Sequence, residues 1–366
     1  MTGEVTGIEL RRWSELSDDE HTTWDALRGT QPELAPPFFS RRFMDAVDAA
    51  RSDVRVAVMF NDVGIVGFFP HHLSGRAAKP AGRFLNDAHN VLLRPGTRLH
   101  WRSLLAACGA TIFDFHALVG CESHLPAESI EGRVGSFAAV MDGDSVGFLK
   151  RLKKQRRTMF KQDQKTRKMI RELGPLRFEM DCRDPAVLAQ TIRWKREQYR
   201  RTDILDLFLP DWTREMLGQL CQGPDTRRDD PEMRGLVSAL YAGDALVAAH
   251  IGMIEGDRLH YWFPAYNIEH SIYSPGTALF QTIVEHATGA GIETIDMGYG
   301  EQPYKLKQTD TVTQVAYGCV TPSTMLRCKR RLTRRGKALL KQAPMKSTWK
   351  RLLRAIKPDA GIGKLD

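Results

Sequence analysis

The sequence predicts an α/β (α+β) chain built from two copies of one unit, each a mixed, mostly antiparallel sheet flanked by helices. Three observations predict it. Short β-branched and aromatic runs alternate along the chain with stretches of helical apolar spacing. The order helix, helix, hairpin, helix, strand occurs once in each half. The composition, 366 residues with 42% hydrophobic and 27% charged side chains, is that of a globular chain of about two domains.

The first copy opens at Ser17-Asp18-Asp19-Glu20, a capping box ahead of Trp24 and Leu27, in a helix that stops near Gly29. Ser40 opens a second helix with Phe43, Met44 and Val47 on one face. Val54–Phe60 and Gly64–Phe69 read as a hairpin around Asn61-Asp62. Thr97–Cys108 reads as a helix closed by Gly109, and Thr111–Leu118 as a strand. In the second copy Asp184-Pro185 starts a helix running to Tyr199, and Asp211 caps another over Trp212–Leu220. Leu236–Tyr241 and Leu246–Ile254 form a hairpin, followed by the strand Leu259–Phe263. Ser274-Pro275-Gly276 opens a helix with Leu279, Phe280, Ile283, Val284 and Ala287 on one face, closing at Gly289 or Gly291. Glu293–Met297 and Val312–Val320 are the last strands. The expected domains are 1–145 and 174–326, joined by one basic helix over 146–173 and followed by a basic amphipathic tail, 327–366.

The charge is segmental. Residues 146–173 hold eleven Lys or Arg and two acids; residues 327–366 hold fourteen and two. With a total of +9, the rest of the chain is net acidic. That excludes a uniformly basic nucleic-acid coat. No run of 18 apolar residues exists, so no membrane-spanning helix is expected, and the first ten residues lack a secretory pattern. The six cysteines are scattered without a CxxC pair. Cys121 and His124 lack a second pair to complete a zinc site, so no metal is expected and a reducing cytoplasm is. His71-His72 reads as the end of a strand.

Two stretches carry candidate chemistry. At Ser274-Pro275-Gly276-Thr277 a helix begins after a strand and loop; free amides and the positive end of the helix suit an anion there, with Gly276 allowing close approach. Asp296-Met297-Gly298-Tyr299-Gly300-Glu301-Gln302-Pro303-Tyr304-Lys305 follows a short strand, where loops of α/β sheets commonly bind ligands. Either stretch also suits a plain helix start or a polar turn. Arg193, Arg196 and Arg200 share one helical face, which suits an anionic ligand's rim as well as a solvated surface.

Taken together, the strand Leu259-His260-Tyr261-Trp262-Phe263-Pro264-Ala265-Tyr266, the helix start Ser274-Pro275-Gly276, Asp296-Met297-Gly298 and Glu301-Gln302-Pro303-Tyr304-Lys305 resemble the CelD/BcsL-type acyltransferases of the GNAT superfamily of acyl-CoA-dependent N-acyltransferases. Trp13, Trp24, Pro37-Phe38-Phe39-Ser40, Gly67-Phe68-Phe69-Pro70 and Asn86-Asp87 extend the resemblance into the N-terminal half, over about residues 8–326 in all. It implies tandem GNAT-like units, as in Fem-type peptidyltransferases, with the active centre in the second. It implies an acyl-CoA co-substrate whose pantetheine lies along Tyr261, Trp262 and Phe263 and whose pyrophosphate meets Ser274, Gly276 and Thr277. One departure stands out: the superfamily's Gln/Arg-x-x-Gly-x-Gly/Ala signature is represented only by Ile272–Ala278, with one glycine and a proline that removes a donor.

The implied reaction is direct attack of an amine or hydroxyl on a thioester, the acceptor being a small molecule or glycan related to the envelope or exopolysaccharide. Glu301 or Asp296 serves as base, with His260 as a second candidate. Tyr304 or Tyr261 protonates the thiolate. Lys305, Tyr266 and Arg196 are the acceptor-binding candidates. The alternatives are a Fem-type aminoacyl-tRNA-dependent transferase, the one reading that brings in nucleic acid, and a catalytically silent scaffold at the membrane. In the tail, Trp349, Leu352, Leu353 and Ile356 with flanking Lys and Arg suit the anionic inner face of a membrane, as a peripheral contact of a cytoplasmic protein.

Overall fold

The computed structural model describes residues 3–120, 122, 124–222 and 232–342. In chain order its first elements are β1 (Gly7–Arg11), α1 (Asp18–Gly29), α2 (Arg41–Ala50), β2 (Arg55–Asn61), β3 (Gly64–Ser74), β4 (Ala77–Pro80), β5 (Leu92–Leu93), α3 (Trp101–Ala107), β6 (Ile112–Leu118) and β7 (Ile130–Val140). There follow α4 (Ser145–Gln155), α5 (Arg157–Leu173), β8 (Leu176–Glu179), α6 (Pro185–Arg201), α7 (Asp211–Gln222), β9 (Arg234–Ala242), β10 (Ala245–Glu255) and β11 (Arg258–Tyr266). The last are α8 (Pro275–Ala287), β12 (Thr294–Tyr299), α9 (Lys305–Gln308), β13 (Thr311–Val320) and α10 (Thr324–Gln342). The mixed, mostly antiparallel sheet flanked by helices is the fold class the sequence predicts.

Two compact units result. One gathers residues up to 35, 51–133 and from 316 onward; the other gathers 36–50 and 134–315. They are not contiguous in sequence, as the expected 1–145 and 174–326 are. The segment containing α2 packs on α7, so Phe38 and Phe43 lie against Trp262 rather than in the first unit.

In the first unit the strand order is β1-β2-β3-β4-β6 followed by Ala316–Val320 of β13, with β4 and β6 parallel. Ser17 caps α1 as its capping box predicts, and Trp24 is buried against Trp13 and Phe68. Phe69, Trp101, Leu104, Phe113 and Phe115 form the core beneath the sheet. The helix expected over Thr97–Cys108 starts only at Trp101. Arg98 instead pairs its backbone with the N-terminal segment, donating to the Gly3 carbonyl and accepting from Val5 N–H.

The expected tail at 327–366 begins as α10, docked on this same unit. Arg334 reaches Glu131 (2.5 Å) and Asp114 (3.2 Å), Arg330 reaches Asp114 (3.1 Å) and Arg327 reaches Glu128 (2.9 Å). These arginines recur at helical spacing and turn their charge inward. The opposite face carries Met325 and Leu332 in the open. Trp349, Leu352, Leu353 and Ile356 lie outside the described residues, as does Cys121.

The second unit's strand order is β7-β12-β11-β10-β9-β8. Leu236 and Leu240 of β9 point into a core with α4, α5 and α8, while a Cβ at Gly235 would meet Leu220 and Cys221 of α7. Side chains alternate across a strand, so α7 and α8 cover opposite faces. The linking segment is two helices, not one: Arg156 is extended at φ −123°, ψ 101°, and both α4 and α5 pack on α8.

Candidate functional site

Two neighbouring strands of the second unit, β11 and β12, are parallel but pair over only three residues. Arg258, Leu259 and His260 of β11 face Thr294, Ile295 and Asp296 of β12. Beyond that point the strands part. β11 carries a bulge opposite Gly252, between the Ile251–Phe263 and Met253–His260 pairs. β12 slips in its pairing with β7 between Asp296 and Tyr299. Gly298 (φ 67°) and Gly300 (φ 99°) adopt the left-handed turns that carry the chain away, and Gly298 N–H donates to Asp296 Oδ1 at 2.7 Å. The parting leaves backbone polar groups and a gap between two neighbouring strands.

A cavity of about 260 Å³ lies by the gap, lined in part by Lys195 and Gln198 of α6, Tyr261 and Tyr266 of β11, and Tyr304 and Gln308 beyond β12. The turn into α8 closes it with Ser274, Gly276 and Thr277. Lys195 is buried, and its Nζ donates to the Pro264 carbonyl at 3.1 Å. Burial, with the charge of nearby Lys305, pushes its amine down to about 8. Burial pushes the Tyr261 phenol up, helped by Tyr304, so it stays protonated. The Gln308 side chain is 4% exposed, yet its Oε1 has no hydrogen-bond partner among the described residues.

The helix start is unusual. Ser274 sits at φ 52°, ψ 55°, a left-handed conformation that costs a non-glycine residue about 1–2 kcal/mol. Its side chain caps no amide of α8; Oγ instead accepts from Lys165 Nζ of α5 at 2.7 Å. Gln162 Nε2 donates to the Tyr273 carbonyl at 2.9 Å, and the Tyr273 hydroxyl donates to Glu172 at 2.5 Å, so three residues of α5 hold this turn. Pro275 has no N–H, and the amides of Thr277 and Ala278 both donate to the Ser274 carbonyl. Gly276 N–H makes no hydrogen bond among the described residues.

Of the residues expected at the site, Tyr261, Tyr266, Ser274, Gly276, Thr277 and Tyr304 come together here. The others do not line the cavity. His260 and Trp262 pack against Phe38, and Phe263 against Phe208. Burial works against ionising Asp296, but His260, 3.8 Å away, and the Gly298 amide hold its carboxyl below the usual range. Lys305 is buried with Nζ on the Gly298 and Tyr299 carbonyls, beneath the parted strand. Glu301 is exposed. Arg196 pairs with Asp206 at 2.8 Å and lines a different cavity, of about 440 Å³, with Arg193 and Arg214.

Sequence reasoning missed Lys165, Lys195, Gln198 and Gln308. For Lys195 a signal existed: it falls on the stripe Leu188, Ile192, Lys195, Tyr199, a lysine on the apolar face of an amphipathic helix. Among the described residues no group of three His, Cys, Asp or Glu is placed to hold a metal, and no helix is long and apolar enough to cross a membrane.

Residues 153–306 match the family model described as an acetyltransferase (GNAT) domain, which falls within the second unit. The fold over both units is that of FemX, at TM-score 0.53 and 10% identity, covering 85% of this chain and 96% of that one. It is also that of L-PGS from Bacillus licheniformis, at TM-score 0.50 and 11% identity, covering 86% and 96%. No curated protein sequence matches the chain.

Proposed function

We propose that the second unit is an acyltransferase that moves an acyl group from acyl-CoA to an amine or hydroxyl held in the cavity between β11 and α8. The observation that carries this reading is the parting of β11 and β12 over a cavity that holds Lys195, Tyr261 and Tyr304. The gap leaves room for an extended thioester arm to lie along β11, where a neighbouring strand would otherwise run. Direct attack in a ternary complex needs both reactants held and two protons managed. The proton of the attacking amine or hydroxyl passes to water in the cavity, while Tyr304 supplies one to the leaving sulfur and regains it from solvent. Lys195, charged below about pH 8, holds the acyl oxygen as negative charge builds there. Thioester chemistry by this route asks nothing of a metal.

The CelD/BcsL resemblance supports an acceptor related to an envelope polysaccharide. The expected test is acetyl transfer from a panel of acyl-CoAs to amino sugars, followed by release of free thiol. Tyr304→Phe should lower kcat about 100-fold with little change in KM. Unchanged kcat would remove Tyr304 from the chemistry; no turnover with any donor would leave the scaffold reading.

One observation favours a second reading, the Fem-type use of aminoacyl-tRNA. The basic helix α5 lies at the mouth of the site, with Lys165 on Ser274, so a polyanionic donor has cations to meet there. For the membrane contact, α10 turns four of its five arginines inward, so most of the attraction is assigned to the residues beyond 342. The intact chain is expected to float with vesicles containing anionic lipid, and a 1–342 truncation is expected to stay behind. Equal flotation of the two defeats this contact.

A further inference from the structure

Lys195 reaches the cavity from α6 and is 9% exposed. Among the described residues its amine makes one hydrogen bond, to the Pro264 carbonyl at 3.1 Å, and lies 5.6 Å from the centre of the Tyr199 ring. The charged and titratable groups around it are Tyr199 on its own helix, Lys305 of α9, and Tyr261, Tyr266 and Tyr304 on the cavity wall. Lys305 is a like charge, and no carboxylate among the described residues acts on the amine to offset it. Burial and that like charge leave on the order of 100-fold more un-ionised amine at pH 7 than an ordinary lysine carries. Desolvation beside a second cation is a known way of making a lysine a nucleophile.

We propose that Lys195 is a self-acylation site: with a thioester bound and no acceptor in the cavity, Nζ attacks the acyl carbon and the chain acylates itself. The inference rests on the acyl-donor reading above, in which this same amine meets the acyl oxygen. The C–N bond forms as the C–S bond breaks. The nitrogen gives up one proton to water, and Tyr304 supplies one to the departing thiolate. The products are Nε-acyl-Lys195 and a free thiol. An amide carries no charge, so burial has nothing left to oppose at this position. Its remaining N–H keeps the Pro264 carbonyl as a partner, and a cavity of about 260 Å³ has room for a short acyl group. What the chain loses is the cation that steadies the acyl oxygen, so the modified protein is more stable and silent.

Mass spectrometry of the intact chain with peptide mapping reads the adduct. The protein is held without acceptor in acetyl-CoA or in the small thioester S-acetyl-N-acetylcysteamine. One acetyl group is expected on Lys195 before any on the exposed Lys161 and Lys165. Its rate should rise about 5-fold from pH 7 to 8 and level off above 9, where a lysine of ordinary basicity would go on climbing. Transfer activity should fall in step with the adduct, about 100-fold at full occupancy, as the thermal midpoint rises. Lys195→Arg should carry no acetyl group at that position, and wild type unfolded in urea should lose the preference for Lys195. Labelling spread over the exposed lysines, or still climbing beyond pH 9, overturns the proposal. If acetyl-CoA serves an acceptor and Lys195 stays unmodified, self-acylation falls and the acyl-donor reading stands. If the small thioester acetylates Lys195 while acetyl-CoA neither binds by calorimetry nor labels, self-acylation stands and the acyl-CoA donor falls. If neither thioester labels Lys195, self-acylation falls whatever the donor.

Discussion

Lys195→Met is expected to remove most acyl transfer while making the folded protein more stable below pH 8. The two effects share one cause. A lysine that titrates near 8 when folded and near 10.5 when unfolded carries a buried charge that the fold opposes. The gap of roughly 2.5 pH units corresponds to about 3 kcal/mol. Between those two pH values the unfolded chain holds the extra proton, so the folded state gains stability as pH rises through that window, and below 8 the cost is fully in force. Methionine removes the charge at similar length. It also leaves the Pro264 carbonyl without the Lys195 N–H, which returns about 1 kcal/mol of the gain. A net rise of about 2 kcal/mol at pH 7 is expected, read as a higher thermal midpoint. The activity loss should reach about 100- to 1000-fold in kcat, since a donor aimed at developing charge is typically worth that much. The wild-type rate should also fall as pH rises past 8, where Lys195 gives up its proton. Lys195→Arg should carry no such alkaline limb. A variant that is both less stable and fully active would sink this role for Lys195.

That a lysine can sit at the centre of the site and still escape a reading of the sequence has a physical reason. The strongest local signals report what packs. The α8 stripe from Leu279 to Ala287, the hairpin of β9 and β10 and the Ser17 capping box were all legible, because each local preference agrees with the fold. The site was legible as a region for the same reason: a strand, a turn and a helix start in sequence. Which residues of that region face the cavity was not. On β11, neighbours alternate between faces, so Tyr261 lines the cavity while His260 and Trp262, one residue to either side, pack on Phe38. A bulge opposite Gly252 shifts that alternation, and nothing in the run of aromatics marks it. The break at Arg156 was equally silent, since no proline or glycine stands there. It is visible only in its outcome. Lys153 and Asp163 meet at 2.9 Å, whereas ten residues of straight helix would hold them about 15 Å apart. The bend belongs to the packing of α4 and α5 on α8, and it also aims Lys165 at Ser274.

Asp114→Ala should be the most damaging change to any of the charged residues that tie α10 to the first unit. Asp114 is almost fully buried on β6 and meets three cations: Lys79 at 2.5 Å, Arg330 at 3.1 Å and Arg334 at 3.2 Å. Burial already pulls the Lys79 amine down, and Asp114 is what opposes that pull. Two of the three cations belong to α10, so this carboxylate is the main electrostatic clasp between that helix and the sheet. Arg334 keeps Glu131, and Arg327 keeps Glu128. Breaking a buried ion pair from one side costs about 3–5 kcal/mol, because the partner charge stays behind. Removing Asp114 takes this partner from all three cations, but each of their side chains is about one-third exposed (Lys79 28%, Arg334 30%, Arg330 37%) and can turn in part to water. The expected loss is therefore nearer 3 than 5 kcal/mol, followed as a lower denaturant midpoint. Adding Lys79→Met to Asp114→Ala should recover a large part of it, since the stranded charge goes too. Arg330→Ala alone should cost well under 1 kcal/mol, in keeping with an exposed partner. A double variant no more stable than Asp114→Ala would mean that the loss comes from freeing α10, and that the helix, more than Lys79, is what the carboxylate is there to hold.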